Sequence, residues 1–185
     1  MPSESQPTAR STETLDEIAS EVIRLLAQAN ETVGVAESLT GGGLMAALTS
    51  VPGASAVFRG GVVSYATPLK QELLDVDRSL IHKEGVIHHE VASQMAAGAR
   101  KITTVGAEET TWGVGTTGVA GPSSQDGKPP GTVYIGIASA KESCGNGPYH
   151  FPGVRESVRT ATVMEALALL RSALRSSEVV KGSLH

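Results

Sequence analysis

The chain has 185 residues, a formal net charge of −4 at pH 7 and one cysteine. That length fits one domain with a sizeable core. The acidic balance and the lack of any Lys/Arg block argue against nucleic acid or an anionic membrane surface as partner. The lone Cys144 excludes an intrachain disulfide framework and a multi-cysteine metal site, and fits a reducing, cytoplasmic setting.

Met1 to Arg10 is polar without an apolar stretch, so residues 1–10 are expected to form a disordered tail rather than a signal peptide. Leu15, Ile18, Val22, Leu25 and Leu26 recur at helical spacing and predict a helix over 12–29. Thr32–Ala36 is short and β-rich, like a buried strand. The small apolar run 41–50 predicts a helix packed close to a sheet. Residues 56–65 predict a strand, kinked at Gly60-Gly61. Thr67-Pro68 then supplies an N-cap and a first-turn proline for a helix over 69–76, followed by a short turn or helix over 77–82. A helix is expected over 90–105, a strand over 111–117, a Gly/Pro/Ser-rich loop over 118–130 and a strand over 131–140. A turn over 141–147, a strand over 149–151 and an amphipathic helix over 156–175 complete the domain, 11–176, with 177–185 frayed. No apolar run approaches about 18 residues, so no membrane span is expected. Interleaved helices and strands point to a layered α/β domain.

The chemistry concentrates where the first strand gives way to Glu37-Ser38-Leu39-Thr40-Gly41-Gly42-Gly43. Free backbone N–H groups at such a turn favour negative charge, either an oxyanion or a phosphate. Glycines let a substrate approach the backbone closely. Ser38 is then either an activated nucleophile or, like Thr40, a helix cap. Tyr65 and Lys70 follow the next apolar run. A lysine serves as base only when burial or a positive field makes it partly neutral. Read singly, Tyr65 is a half-buried strand residue and Lys70 a solvated helix residue. Arg155 and Arg159 stand four apart at a helix start, where positive charge opposes the helix dipole. An anionic ligand or an ion pair with a carboxylate such as Glu156 accounts for them. Thr116-Thr117-Gly118 ends a strand where α/β sheets place ligands, so that Thr117, Gly118 and Gly121 either shape a pocket wall or belong to a plain loop. His88-His89 is a weak metal pattern with no third ligand at matching spacing, so no metal is assigned. Cys144 reads as a bystander and Trp112 as core.

Taken together, Ala36-Glu37-Ser38 with Thr40-Gly41-Gly42, Gly60 to Tyr65 with Lys70, Thr117 to Pro122, Pro130 to Ile135 and the stretch from Phe151 to Arg159 resemble the CinA C-terminal family. Its best-known members are nicotinamide-nucleotide amidases (NMN deamidases). The resemblance spans about residues 12–176. It implies a three-layer α/β/α sandwich with a mixed central sheet, commonly a homodimer or higher homo-oligomer. It further implies hydrolysis of nicotinamide mononucleotide to nicotinic acid mononucleotide and ammonia, within pyridine nucleotide salvage. Ser38 matches the nucleophile and Tyr65 and Lys70 its proton-transfer partners. The backbone over Thr40, Gly41 and Gly42 would cradle the oxyanion, and Arg155 or Arg159 would meet the substrate phosphate. No cofactor is implied. The amino-terminal domain of the long CinA proteins is not in the sequence, so a stand-alone form is expected. Three features depart from the family pattern: Leu39 where Cys or Ala is frequent, Ser123-Ser124-Gln125-Asp126 in a loop usually glycine-rich, and Val154 where the motif reads Gly-Asp-Arg. A non-catalytic nucleotide-binding or regulatory module is the alternative. A protein-interaction role in DNA uptake or damage response is a third reading.

Overall fold

Helix α1 (Leu15–Ala29) begins with a capping box in which Thr14 and Glu17 satisfy each other's backbone N–H groups, and it ends at left-handed Asn30. Then come β1 (Val33–Glu37), α2 (Gly43–Thr49), β2 (Phe58–Val63), α3 (Thr67–Leu74), α4 (Arg78–Glu84) and α5 (His89–Ile102). Strands β3 (Trp112–Gly118), β4 (Thr132–Ala138) and β5 (Ser143–His150) lead to α6 (Arg155–Gly182). These bounds come from a computed structural model that describes residues 4–182.

One five-stranded sheet runs in the order β2-β1-β3-β4-β5. Strand β1 lies parallel to both β2 and β3, whereas β4 and β5 are antiparallel additions, so the sheet is mixed. Helices α1, α2 and α6 cover one face, and α5 with α3 covers the other. The expected three-layer α/β/α sandwich is the observed architecture. The main core joins α1, α2 and α6 to the sheet through Ile18, Leu26, Leu48, Ile135 and Leu167.

The opposite face is floored by glycine. A β-carbon at Gly113 would run into the Ala96 carbonyl, at Gly136 into the Ala92 carbonyl, and at Gly145 into the His89 carbonyl. Helix α5 therefore lies directly on the strands, backbone against backbone. Gly98 repeats the device on the far side of α5, where a side chain would collide with Leu74 of α3. Close contact of α5 with the sheet and of α3 with α5 sets how deep Lys70 sits.

Three expectations are corrected. Residues 4–9 are not loose: the N–H groups of Thr8 and Ala9 donate to the buried Glu165 carboxylate, and Ser5 N–H donates to the Pro148 carbonyl. The Gly/Asn-containing run expected as a turn over 141–147 is largely strand, because β4 supplies a partner for an edge strand that local propensity disfavours. Helix α6 continues to Gly182 instead of fraying after 176, and Arg171 ties it to Glu13, just ahead of α1, and to Glu21 within it. Residues 183–185 lie outside the described residues. No helix among the described residues is long and apolar enough to cross a membrane.

Candidate active site

Ser38 follows the last residue of β1 and is half-buried. Lys70 comes from the first turn of α3, with Pro68 fixing the helix start. It is among the largest fully buried side chains, 1% exposed. Its Nζ lies 3.1 Å from Ser38 Oγ, 2.7 Å from the Ser64 carbonyl and 3.5 Å from the Tyr65 carbonyl. Burial pushes its pKa from the ordinary 10.5 down to about 8. A neutral amine has two N–H bonds and one lone pair. As an ammonium Lys70 donates to Ser38 Oγ and to both carbonyls; once neutral, its two N–H groups serve the carbonyls and its lone pair faces the Ser38 hydroxyl proton.

The turn from Ser38 to Gly43 has its donors and acceptors almost fully matched. Ser38 N–H donates to the Thr116 carbonyl at 3.1 Å, Gly41 N–H to the Ser38 carbonyl at 3.0 Å and Gly43 N–H to the Thr40 carbonyl at 3.1 Å. The Thr40 and Thr116 hydroxyls pair at 2.8 Å. The N–H groups of Gly42, Leu44 and Met45 all donate to the Glu37 carboxylate. The expected cradle over residues 40–42 is therefore displaced, since the Gly41 and Gly42 donors are consumed internally. Among the described residues, the N–H groups of Leu39 and Thr40 make no intramolecular hydrogen bond. Thr40 is wholly enclosed and Leu39 is 4% exposed, so of the two unpaired donors only Leu39 lies where a developing oxyanion can reach it.

Tyr65 does not meet Ser38 through its phenol. Its side chain is 57% exposed, and its hydroxyl accepts from Arg155 Nη2 at 2.6 Å. Only its backbone carbonyl faces Lys70. Arg155 also donates from Nη1 to the Gly121 carbonyl at 2.9 Å, so it bridges the end of β2 and the 121–130 loop. Arg159 donates to the Thr40 carbonyl at 2.8 Å and packs over Gly41. Neither arginine forms an ion pair among the described residues; the Glu156 alternative is not the one adopted. Thr117 is buried and donates to the Val86 carbonyl, so its hydroxyl acts on the α4–α5 junction rather than on Ser38. Asp126 accepts from Val86 N–H at 2.9 Å and seats the loop tip in a notch that Gly85 keeps open. Gly118 has no room for a side chain beside Thr132 and Val133. His88 caps α5 by accepting from Glu90 N–H, and Trp112 is buried with its indole N–H donating to Glu31.

Sequence reasoning named Ser38, Lys70, Arg155 and Arg159 and put Thr116 at a ligand-facing strand end, but gave no role to Glu37 or the Ser64 carbonyl. A glutamate closing an otherwise apolar buried strand just before three glycines was the available signal for Glu37.

The parallel strands thus carry a serine–lysine pair at their carboxyl ends, inside an α/β/α domain, with two arginines from the last helix overhead. The chain belongs to the CinA C-terminal domain family, which residues 15–174 match. It is 46% identical over 159 residues to a CinA-like protein of Frankia casuarinae, covering 86% of this chain and 35% of that one. It is 39% identical over 160 residues to a putative competence-damage inducible protein of Lactiplantibacillus plantarum, covering 86% of this chain and 37% of that one. The chain therefore spans little more than a third of the length of these relatives. Among solved structures, the competence/damage inducible protein CihA of Agrobacterium tumefaciens superposes with a TM-score of 0.78 at 30% identity, covering 87% of this chain and 95% of that one. A competence-damaged protein (CinA) superfamily protein of Klebsiella pneumoniae does so with a TM-score of 0.82 at 25% identity, covering 89% and 99%.

Proposed function

We propose that this chain is a serine-dependent amidohydrolase converting nicotinamide mononucleotide to nicotinic acid mononucleotide and ammonia. The observation that carries the reading is the buried Lys70 amine at 3.1 Å from Ser38 Oγ. Ser38 Oγ attacks the carboxamide carbon as Lys70 takes its proton. The carbonyl oxygen gathers negative charge and accepts a hydrogen bond from the unpaired Leu39 N–H. Lys70 returns the proton to the leaving nitrogen, and ammonia departs from a Ser38 acyl-enzyme. Water, deprotonated by the same amine, opens the ester and restores the serine. Arg155 and Arg159 suit the phosphate, because each keeps N–H groups beyond those given to Tyr65, Gly121 and Thr40. Family membership supports the substrate class through the resemblance of the motifs. The chain works in the cytoplasm as a homodimer or higher oligomer in this reading. The direct experiment is ammonia release from nicotinamide mononucleotide by the purified protein; binding without turnover would instead favour the non-catalytic nucleotide module.

Two expected results follow from the local geometry. Because Lys70 must be neutral, kcat/KM rises with pH and levels off above about 8. A rate independent of pH from 6 to 10 would remove Lys70 as the base. Tyr65→Phe deletes the acceptor of Arg155 and not a partner of Ser38, so it raises KM by about fivefold to tenfold and lowers kcat less than about threefold. Steady-state kinetics decide this, since a collapse of kcat at constant KM would assign the phenol to proton transfer.

A further inference from the structure

Glu37, the residue before the nucleophile, is completely enclosed, at 0% exposure. A buried carboxylate persists only when its oxygens are hydrogen-bonded. Glu37 meets that requirement with main-chain donors. Oε2 accepts from Gly42 N–H at 2.9 Å and Leu44 N–H at 3.1 Å, and Oε1 accepts from Met45 N–H at 2.8 Å. The carboxylate thus reaches forward across the Ser38 turn and fixes the chain on its far side. The near side is fixed to β3 by the Ser38 N–H and the Thr40 hydroxyl, and the middle by Arg159 on the Thr40 carbonyl. Every other main-chain donor from 38 to 45 is engaged, Ser38 by Thr116 of β3 and the rest by Ser38, Thr40 or Glu37, so the N–H groups of Leu39 and Thr40 are those left over, with Leu39 4% exposed and Thr40 wholly enclosed.

We propose that Glu37 is the positioning residue of this site: by gripping the backbone at residues 42–45 it holds the Ser38 turn in the shape that presents Oγ to Lys70 and leaves the Leu39 donor unpaired for the oxyanion. The inference rests on Ser38 being the nucleophile. A neutral amide cannot substitute. Glutamine keeps one acceptor oxygen, and its NH2 group would oppose a backbone N–H where the carboxylate accepts. The turn would then have to re-form its hydrogen bonds, and the Leu39 and Thr40 donors are the ones with no competing partner to hold them in place.

The test compares wild-type protein with Glu37→Gln and Glu37→Asp by two readouts. One is the rate at which a fluorophosphonate labels Ser38, with Oγ bonding to phosphorus as fluoride leaves, which does not depend on the natural substrate. The other is kcat and KM for ammonia release from nicotinamide mononucleotide. Glu37→Gln is expected to lower both the labelling rate and kcat by about 100-fold, with KM within about threefold. Glu37→Asp, with the charge on a stem one methylene shorter, is expected to lower them by about tenfold, and it serves alone if Glu37→Gln does not fold. Labelling at the wild-type rate in the folded variants overturns the proposal, even if their melting temperatures fall, because Glu37 would then only add stability. Wild-type protein that labels at Ser38 but releases no ammonia overturns the amide reading and leaves the labelling series to judge Glu37. Wild-type protein that does not label at all overturns both.

Discussion

On the proposed amidase reading, Ser38→Ala is expected to leave a folded protein whose ammonia release from nicotinamide mononucleotide falls by at least about 10³-fold. The substitution removes one half-buried oxygen. The hydrogen bonds that shape the turn use the Ser38 backbone, not its hydroxyl, and they remain: N–H to Thr116 and carbonyl from Gly41. The Lys70 amine keeps its two carbonyl partners. Stability should therefore change by less than about 1 kcal/mol, and mononucleotide affinity by less than about threefold. Calorimetric binding beside the turnover assay separates the outcomes. A variant that binds and still turns over at the parental rate would show that no ester forms on Ser38, and water would have to attack the amide directly.

Lys70→Met removes the proposed base and should lower kcat by roughly 10²–10⁴-fold, while its effect on stability has the opposite character. Holding an ammonium in this enclosed position costs about 3 kcal/mol at pH 7, given a value of about 8 in the fold against the ordinary 10.5. Below pH 8 both the folded and unfolded chains carry the proton, and the cost is present in full. Between about 8 and 10.5 the folded chain has lost its proton and the unfolded chain has not, so the stability of the parent rises with pH. Above 10.5 both are neutral and the cost is gone. Methionine has no such dependence, although it leaves the Ser64 carbonyl unpaired at a cost of about 1–3 kcal/mol. Urea unfolding at pH 7 and pH 10 should thus find the variant close to the parent at the lower pH and clearly weaker at the higher. A difference between the two proteins that stays constant with pH would mean that Lys70 is solvated, and its role as base would fall with that result.

The serine and the lysine were legible because each sits where a strand ends or a helix begins, and those boundaries have local marks: a glycine run after Ser38 and Thr67-Pro68 before Lys70. Their partners were less so. Tyr65 stood out as a position, yet its hydroxyl pairs with an arginine 90 residues away, and only the return of α6 over the site decides that. The glycines at 41 and 42 promised open donors; whether a strand-end carboxylate would fold forward and fill them depends on which face of the sheet Glu37 occupies. Polar composition gave the amino-terminal segment no anchor, since the anchor is Glu165, 157 residues from Thr8. Strand β5 failed for the reverse reason: its Gly, Asn and Pro residues oppose a strand locally, and the pairing with β4 prevails.

The bare sheet face beneath α5 carries a cost for sequence change. A methyl group at Gly113 or Gly136 would lift α5 off the strands, and α3, seated against Gly98, would be carried with it. The amine on α3 would then drift from the hydroxyl at the end of β1. Positions that touch no reactant and offer no functional group should therefore behave genetically like members of the catalytic pair, and a screen for inactive but well-expressed variants should recover them.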